Sequence, residues 1–262
     1  MALCCSKSSW LLGILVLGLG GLNVYQFLES RTSHKELSAA QQERDVAQKP
    51  ETVIDRFHVM VYDAMEKTWQ SNSWLGVQCW QNPNDVWIHQ EVISEVKPDL
   101  IIEAGTHRGG SALIWSMILE QIHPTGKVVT MDINDLTKDA AKFPAWKDRV
   151  TFLLGSSTSP ETVEKVKKMA EGKKVMVILD SNHAKDHVLA EMKIYGPLVP
   201  VGGYMIVQDT NINGHPVYKS FGPGPMEAVD EFLAENKDFE PDKNCERLMF
   251  TMHPKGYLKR VK

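Results

Sequence analysis

The sequence predicts an α/β fold: a doubly wound, mostly parallel sheet that ends in an antiparallel hairpin and is preceded by an N-terminal transmembrane helix. After Pro98, short β-branched runs alternate with helical segments, which is typical of a parallel sheet covered on both faces. Near the C-terminus, two apolar runs are separated only by the turn at residues 254–256, so they must pair antiparallel. A charge-free apolar stretch lies near the N-terminus.

This N-terminal stretch carries no charged residue between Lys7 and Glu29. It approaches the roughly 20 residues that span a bilayer, so residues 1–28 are predicted to be an uncleaved anchor of a single-pass membrane protein. The strongest apolar part, residues 10–22, is only about 13 residues long, and a cleaved secretory signal peptide stays the alternative. Basic residues flank both ends, which leaves the orientation open.

Two segments follow before the sheet begins. Residues 29–52 are rich in Ser, Gln, Glu, Lys and Arg, and predict a polar linker or an exposed helix. Residues 53–98 bring in many apolar and aromatic side chains, among them Trp69, Trp74 and Trp80. This composition predicts an N-terminal helical cover over one side of the main domain, which spans residues 99–262.

The main domain shows five strand candidates and a final hairpin. The predicted parallel strands are residues 100–104, 127–133, 150–154, 175–180 and 204–209. The predicted helices are residues 110–121, 160–171, 185–195 and 225–236. The predicted hairpin pairs residues 247–253 with residues 257–261. Because ligands bind at the carboxyl ends of the strands in open α/β sheets, the residues there are the candidates for a site.

A glycine loop follows the first strand. Gly105 and Gly109 let the backbone pass close to a ligand before a helix whose N-terminus can receive an anionic group. The dinucleotide fingerprint is not matched, because Thr106 and His107 occupy the place of its second glycine. With Glu103 in front, the loop instead resembles the first motif of S-adenosylmethionine binders, in which an acidic residue can face the cationic amino acid portion.

Polar residues also end the next two strands. Asp132 follows the second strand and is well placed to accept hydrogen bonds from both hydroxyls of a ribose. The third strand ends at Ser156 and Ser157, a small polar turn that can border an adenine. These positions predict a nucleoside-like ligand, although they do not by themselves separate S-adenosylmethionine from NAD.

Two carboxylates end the fourth and fifth strands. Asp180 and Asp209 offer the hard oxygen ligands that Mg²⁺ prefers, and Gln208 or Asn211 can add a neutral oxygen. His183 lies three residues beyond Asp180, where a general base can reach a substrate hydroxyl. The set predicts a metal-assisted site for an oxygen nucleophile.

These motifs, taken together, resemble the cephalosporin hydroxylase family. The family is built on a Rossmann-like class I methyltransferase domain, whose sheet also ends in an antiparallel hairpin, and it includes sugar O-methyltransferases of macrolide and rhamnosyl type. The resemblance runs from about Trp69 to the C-terminus. The matching stretches are residues 74–77, 85–91, 98–106, 109–113, 179–183 and 197–210.

The resemblance implies an S-adenosylmethionine-dependent, Mg²⁺-assisted O-methyltransferase. It implies metal binding by Asp180, Gln208 and Asp209, and His183 as the catalytic base. Gln208 stands where the family usually has an acid, and so does Asn182. The residues predicted to contact the cofactor are Glu103, Gly105, Thr106, His107, Gly109, Ser111, Asp132, Ile133, Ser156, Ser157 and Asp180.

The acceptor is expected, from the family alone, to be a sugar or another small polyhydroxylated molecule. The formal net charge of −4 gives no electrostatic reason to expect nucleic acid as a partner. Two alternatives stay open: an iron-dependent hydroxylase, suggested by the family's name, and a membrane-tethered binding module without turnover, suggested by Gln208 and Asn182. Self-association into a homo-oligomer is also left open.

Overall fold

A seven-stranded sheet with helices on both faces forms the centre of the fold. The computed structural model describes residues 49–262 and, before them, residues 35, 37, 38, 41, 42, 44 and 46. A small two-stranded sheet, β1 (Ser73–Trp74) and β2 (Val77–Gln78), precedes the large one. The strands of the large sheet are β3 (Leu100–Ala104), β4 (Lys127–Asp132), β5 (Val150–Leu154), β6 (Val175–Leu179), β7 (Tyr204–Val207), β8 (Phe239–Pro241) and β9 (Tyr257–Arg260).

The strand order of the large sheet is β5-β4-β3-β6-β7-β9-β8. The first five strands in this order run parallel, whereas β9 is antiparallel to both of its neighbours. Strands β3 and β6 lie side by side in the middle and are buried at every residue. The carboxyl ends of five parallel strands therefore meet at one edge of the sheet.

The described helices are α1 (Pro50–Asp63), α2 (Pro83–Val96), α3 (Gly110–Ile122), α4 (Pro144–Arg149), α5 (Pro160–Ala170), α6 (Lys185–Tyr195) and α7 (Pro225–Glu235). Local chemistry sets several of their starts. The side chain of Asn82 accepts a hydrogen bond from the backbone of Asn84 and caps α2, and the Ser159 side chain caps α5 in the same way. A proline follows each cap, where its missing N–H costs nothing.

Two apolar cores lie on the two faces of the sheet. Helices α2, α3 and α4 pack on one face around Trp115, which is completely buried. Helices α5, α6 and α7 pack on the other face around Tyr195 and Phe232. Alternate residues of β3 serve the two cores, since Ile101 belongs to the first and Ile102 to the second. The sheet is thus rigidly held beneath its carboxyl edge.

The end of the sheet differs in one respect from the predicted hairpin. Antiparallel pairing at β9 is confirmed, but its partners are β7 and β8, and residues 247–253 form no strand. In this segment the hydroxyl of Thr251 and the backbone N–H of Met252 donate hydrogen bonds to the buried carboxylate of Asp85 instead of pairing with a strand. The strand prediction for residues 247–253 was therefore wrong, because satisfying a buried charge outweighs the apolar pattern.

The transmembrane helix is the second correction. Within the part of the chain that the structure describes, no helix is long and apolar enough to cross a bilayer. The segment on which the prediction rested, residues 1–28, lies outside the described residues, and its strongest apolar part is shorter than a span of roughly 20 residues. The predicted transmembrane helix and the predicted single-pass membrane localisation are both contradicted by this finding.

Candidate active site at the carboxyl edge of the sheet

A cavity of about 690 Å³ opens at the carboxyl edge of the parallel strands. Gly105 shapes its floor, where the chain leaves β3 and passes directly over the backbone of β6. A side chain there would force the two segments apart, because a Cβ atom at Gly105 would lie 1.8 Å from the carbonyl oxygen of Asp180, and its φ of +95° is in the left-handed region. The glycine thus brings the loop and the end of β6 together.

Asp132 ends β4 and lines the cavity beside this loop. Its Oδ2 accepts a hydrogen bond from the backbone N–H of His107 at 2.8 Å, and its Oδ1 accepts one from Asn134 at 2.9 Å. A carboxylate has about four acceptor positions, so about two are free for the hydroxyls of a ribose. The adjacent Ile133 also lines the cavity, with 71% of its surface exposed, and offers an apolar face.

The turn after β5 forms the far end of the cavity. Ser156 and Ser157 both line it, but the hydroxyl of Ser157 already donates a hydrogen bond to Glu191 on α6. Glu191 is buried and also accepts from the hydroxyl of Ser181, at 2.6 Å. Glu191 therefore orients two cavity-lining hydroxyls, and no motif in the sequence pointed to it.

Most predicted cofactor residues lie in the lining, but Glu103 and Gly109 do not. Glu103 is 1% exposed, and its carboxylate accepts hydrogen bonds from the indole N–H of Trp115 and the hydroxyl of Thr130. Gly109 lies against the ring of Trp146, where a Cβ atom would approach to 2.6 Å. The remaining predicted contacts all line the cavity: Gly105, Thr106, His107, Ser111, Asp132, Ile133, Ser156, Ser157 and Asp180.

The burial of Glu103 gives a testable pH dependence. Burial raises the pKa of Glu103 from 4.5 to about 7, in spite of hydrogen bonds from neighbouring side chains. The unfolded chain therefore loses this proton at lower pH than the folded chain does, and stability falls as the pH rises from about 4.5 to about 7. In the unchanged protein, we expect the free energy of unfolding to fall by on the order of 2 kcal/mol between about pH 5 and about pH 8 because of Glu103, and we expect this fall to be absent in Glu103→Gln. Urea unfolding of both proteins measures the difference. An equal pH dependence in the two proteins contradicts this account.

Asp180, His183 and Asp209 meet at one corner of the cavity, which we call the acid corner. One ligand atom from each of the three lies within 4.8 Å of the other two. His183 Nε2 is 2.6 Å from Asp209 Oδ2 and 3.9 Å from Asp180 Oδ1. Two carboxylates and an imidazole at this spacing are a donor set that fits a divalent cation.

The charges of the acid corner shift one another's pKa. Burial and the charge of Asp209 hold the pKa of Asp180 well above its usual range. Burial also acts to raise the pKa of Asp209, but His183 outweighs it and the pKa of Asp209 lies below its ordinary value. Burial acts to lower the pKa of His183, yet Asp209 and Asp180 together raise it to about 9. The imidazole of His183 thus balances the two carboxylates, and a cation bound there could take over that role.

Gln208, the third predicted metal ligand, lies behind the acid corner. It is 3% exposed and does not line the cavity. Its Oε1 accepts a hydrogen bond at 2.8 Å from Gln81, whose amide also donates to Asp180 Oδ2 at 3.0 Å. Gln208 is therefore connected to Asp180 indirectly, by hydrogen bonds that both side chains accept from the amide of Gln81. Sequence reasoning missed Gln81, which precedes the cap of α2 and carries no motif of its own.

An aromatic wall, formed by Tyr62, Trp69 and Trp80, covers the cavity between the acid corner and the glycine loop. Tyr62 stacks on Trp69 at 5.7 Å between ring centroids, Trp69 meets Trp80 edge-on at 6.0 Å, and Trp80 lies 4.3 Å from the ring of His107. Burial and the charge of Asp209 raise the pKa of Tyr62 to about 12. The buried indole N–H of Trp69 has no hydrogen-bond partner among the residues that the structure describes.

Comparison with known proteins identifies the family of this chain. A family model described as Rhamnosyl O-methyltransferase/CmcI matches residues 66–261. The Rhamnosyl O-methyltransferase of Mycobacterium tuberculosis is 38% identical over 216 residues, which cover 80% of this chain and 86% of that protein. The hydroxylase alternative and the binding-module alternative gain no support from these matches, and neither does a membrane partner or a homo-oligomer.

Two solved structures share the fold. An apo structure of CmcI superposes with a TM-score of 0.58 and 19% identity, over 74% of this chain and 77% of that one. A CmcI structure with Mg and SAM gives a TM-score of 0.57 and 18% identity, over 74% and 78% of the two chains. The class I methyltransferase fold and the resemblance found in the sequence are confirmed, and the chain belongs to the rhamnosyl O-methyltransferase/CmcI family.

Proposed function

We propose that this chain, an S-adenosylmethionine-dependent O-methyltransferase, methylates a hydroxyl of a sugar or another small polyhydroxylated acceptor with the help of Mg²⁺. One observation carries the proposal. The acid corner, with Asp180, His183 and Asp209 within 4.8 Å of one another, lies in the same cavity as the glycine loop and Asp132. A hydroxyl can therefore be bound and deprotonated beside a bound methyl donor.

The cofactor half is assigned to the loop around Gly105, to Asp132 and to the Ser156 turn. The positively polarised N-terminus of α3, with Gly110 and Ser111 in the lining, suits the carboxylate of the cofactor's amino acid portion. Asp132 suits the ribose, since about two of its acceptor positions are free. When bound, S-adenosylmethionine supplies an electrophilic methyl group, and the chain's task is to aim an acceptor oxygen at it.

The metal half is assigned to Asp180 and Asp209. Their carboxylates are hard oxygen donors, and burial and the charge of Asp209, which together raise the pKa of Asp180, favour a cation between them. Mg²⁺ in this corner would lower the pKa of the acceptor hydroxyl. His183, oriented by its 2.6 Å contact with Asp209, is the proposed base that receives the hydroxyl proton. Although burial acts to lower the pKa of His183, Asp209 and Asp180 raise it to about 9. A cation bound by these two carboxylates would offset their charge and so lower this pKa toward the range of a general base.

The acceptor is assigned to the space under the aromatic wall. Tyr62, Trp69 and Trp80 line the cavity with aromatic surface. The indole N–H of Trp69 has no partner among the described residues and is a donor for an acceptor oxygen. A pyranose has both features, an apolar C–H face and many oxygens, which supports a sugar over a purely apolar acceptor.

Substitution of Trp69 tests this placement. We expect Trp69→Ala to raise the KM for the acceptor by about tenfold, because a stacked ring and a donor are lost. Its effect on the Kd of S-adenosylmethionine, measured by calorimetry, should be small. Trp87→Ala is the matched control, since Trp87 is 60% exposed and lies outside the cavity lining. An unchanged KM in Trp69→Ala places the acceptor elsewhere.

The activity itself is tested with purified protein, S-adenosylmethionine and a panel of rhamnosides, other glycosides and catechols, with Mg²⁺ or with a chelator. We expect S-adenosylhomocysteine and a methyl ether to form together with a glycoside, and to disappear with the chelator. Formation of product with the catechols alone rejects the sugar acceptor, and product that resists the chelator rejects the metal.

A further inference from the structure

The backbone of Asp209 adopts an unusual conformation for a residue with a side chain. Its φ is +55°, in the left-handed region that favours glycine. Strand β7 has ended at Val207, so the N–H of Asp209 has no strand partner at this point. Such a conformation persists only where the surroundings hold it, and non-glycine residues held in this way cluster at functional sites.

One side chain holds this position. The N–H of Asp209 donates a hydrogen bond to Nδ1 of His253 at 3.0 Å. His253 is 2% exposed and comes from the segment between β8 and β9, far from Asp209 in the chain. Because Nδ1 accepts this bond, the ring proton of the neutral imidazole lies on Nε2.

The opposite side of the His253 ring, at Nε2, faces the carboxylate of Asp85. This Nε2 is buried, has no hydrogen-bond partner in the described part of the chain, and lies 3.7 Å from Oδ2 of Asp85. Asp85 is fully buried and accepts hydrogen bonds from the N–H of Met252 at 2.9 Å and from the hydroxyl of Tyr257 at 3.0 Å. The chain on the N-terminal side of His253 is therefore anchored, and the ring has little freedom to turn away from Asp209.

We propose that His253 is a positioning residue of the acid corner: its Nδ1 holds the backbone of Asp209 in the left-handed conformation and so keeps the Asp209 carboxylate facing His183 and the cation site. The inference rests on the proposed metal half of the function. It assigns to His253 neither contact with the acceptor nor a proton transfer.

Two substitutions separate the acceptor atom from the volume of the ring. His253→Asn retains an acceptor, because Oδ1 of asparagine occupies about the place of Nδ1, whereas His253→Leu fills similar space with no acceptor. With Mn²⁺ as the probe and electron paramagnetic resonance as the readout, we expect His253→Leu to weaken Mn²⁺ binding by about 10- to 100-fold. His253→Asn should stay within about threefold of the unchanged protein.

A second readout needs no metal. In the metal-free protein, the ring N–H proton that His183 shares with Asp209 should resonate far downfield in the proton NMR spectrum, and this signal should persist in His253→Asn and vanish in His253→Leu. Calorimetry with S-adenosylmethionine, without metal, verifies folding, and its Kd should be unchanged in both variants.

The possible results are distinguishable. Equal Mn²⁺ affinity and an equal His183 signal in the unchanged protein and His253→Leu overturn the positioning role. A folded His253→Asn that loses both readouts overturns it as well, and this holds even if His253→Leu does not fold. If the unchanged protein binds no Mn²⁺, the metal half of the proposed function fails, while the NMR signal still decides the role of His253.

Discussion

Replacing Asp180 by Asn is expected to abolish turnover while leaving the cofactor bound. Asp180 is one of two carboxylates in the acid corner, and its neutral isostere removes a charged ligand without changing the shape of the cavity. We expect the kcat to fall by about 10³-fold or more, since a metal and its charge are worth several kcal/mol in the transition state. The Kd of S-adenosylmethionine should change by less than about threefold, because Asn retains the size of Asp180 and one oxygen that can still accept the hydrogen bond from Gln81.

The measurement is a pair of assays on each protein, steady-state turnover and calorimetric titration with S-adenosylmethionine. Asp186→Asn is the matched control, because Asp186 is an exposed carboxylate in the first turn of the neighbouring helix α6. Normal turnover in Asp180→Asn would show that the acid corner is not needed for catalysis. Loss of cofactor binding in that variant instead makes Asp180 a cofactor residue before anything else.

Replacing Gly105 by Ala is expected to damage both stability and cofactor binding. The new methyl group would meet the Asp180 carbonyl oxygen at 1.8 Å, so β3 and β6 would have to separate where they form the cavity floor. We expect a loss of about 3 kcal/mol or more in the free energy of unfolding, and no measurable cofactor binding.

Gly172→Ala provides the control for backbone strain. Gly172 also has a positive φ, +68°, but no atom of the described residues lies within 4 Å of a Cβ atom there. Gly172→Ala should lower the free energy of unfolding by only about 1 kcal/mol, which is the cost of the left-handed conformation alone. Urea unfolding of the three proteins measures the difference. Equal losses in the two variants contradict the close approach at Gly105.

The parts of the fold that the sequence predicted well are those governed by local periodicity. Strands β3 and β5 and helix α6 begin and end at the predicted residues. Asp180 and Asp209 could be paired in advance because β6 and β7 are adjacent parallel strands, whose carboxyl ends share one edge. These are short-range signals combined with one rule of sheet topology.

The parts that escaped prediction depend on contacts between distant segments. Residues 247–253 have the composition of a strand, but Thr251 and Met252 donate hydrogen bonds to the buried carboxylate of Asp85 and form no strand. His253 and Gln81 reach the acid corner only through the tertiary fold, so no spacing in the sequence announces them. Glu103 looked like a ligand because it ends a strand beside the glycine loop, yet its carboxylate is bound by Trp115 and Thr130 instead.

The central claim is that one cavity holds a cofactor half at Asp132 and a metal half at Asp180 and Asp209. Crystals grown with S-adenosylhomocysteine and Mn²⁺ test it most directly, with anomalous scattering to locate the metal. We expect the ribose on the carboxylate of Asp132 and an anomalous peak between Asp180 and Asp209. A ribose bound away from Asp132, or a peak at other residues, would contradict it.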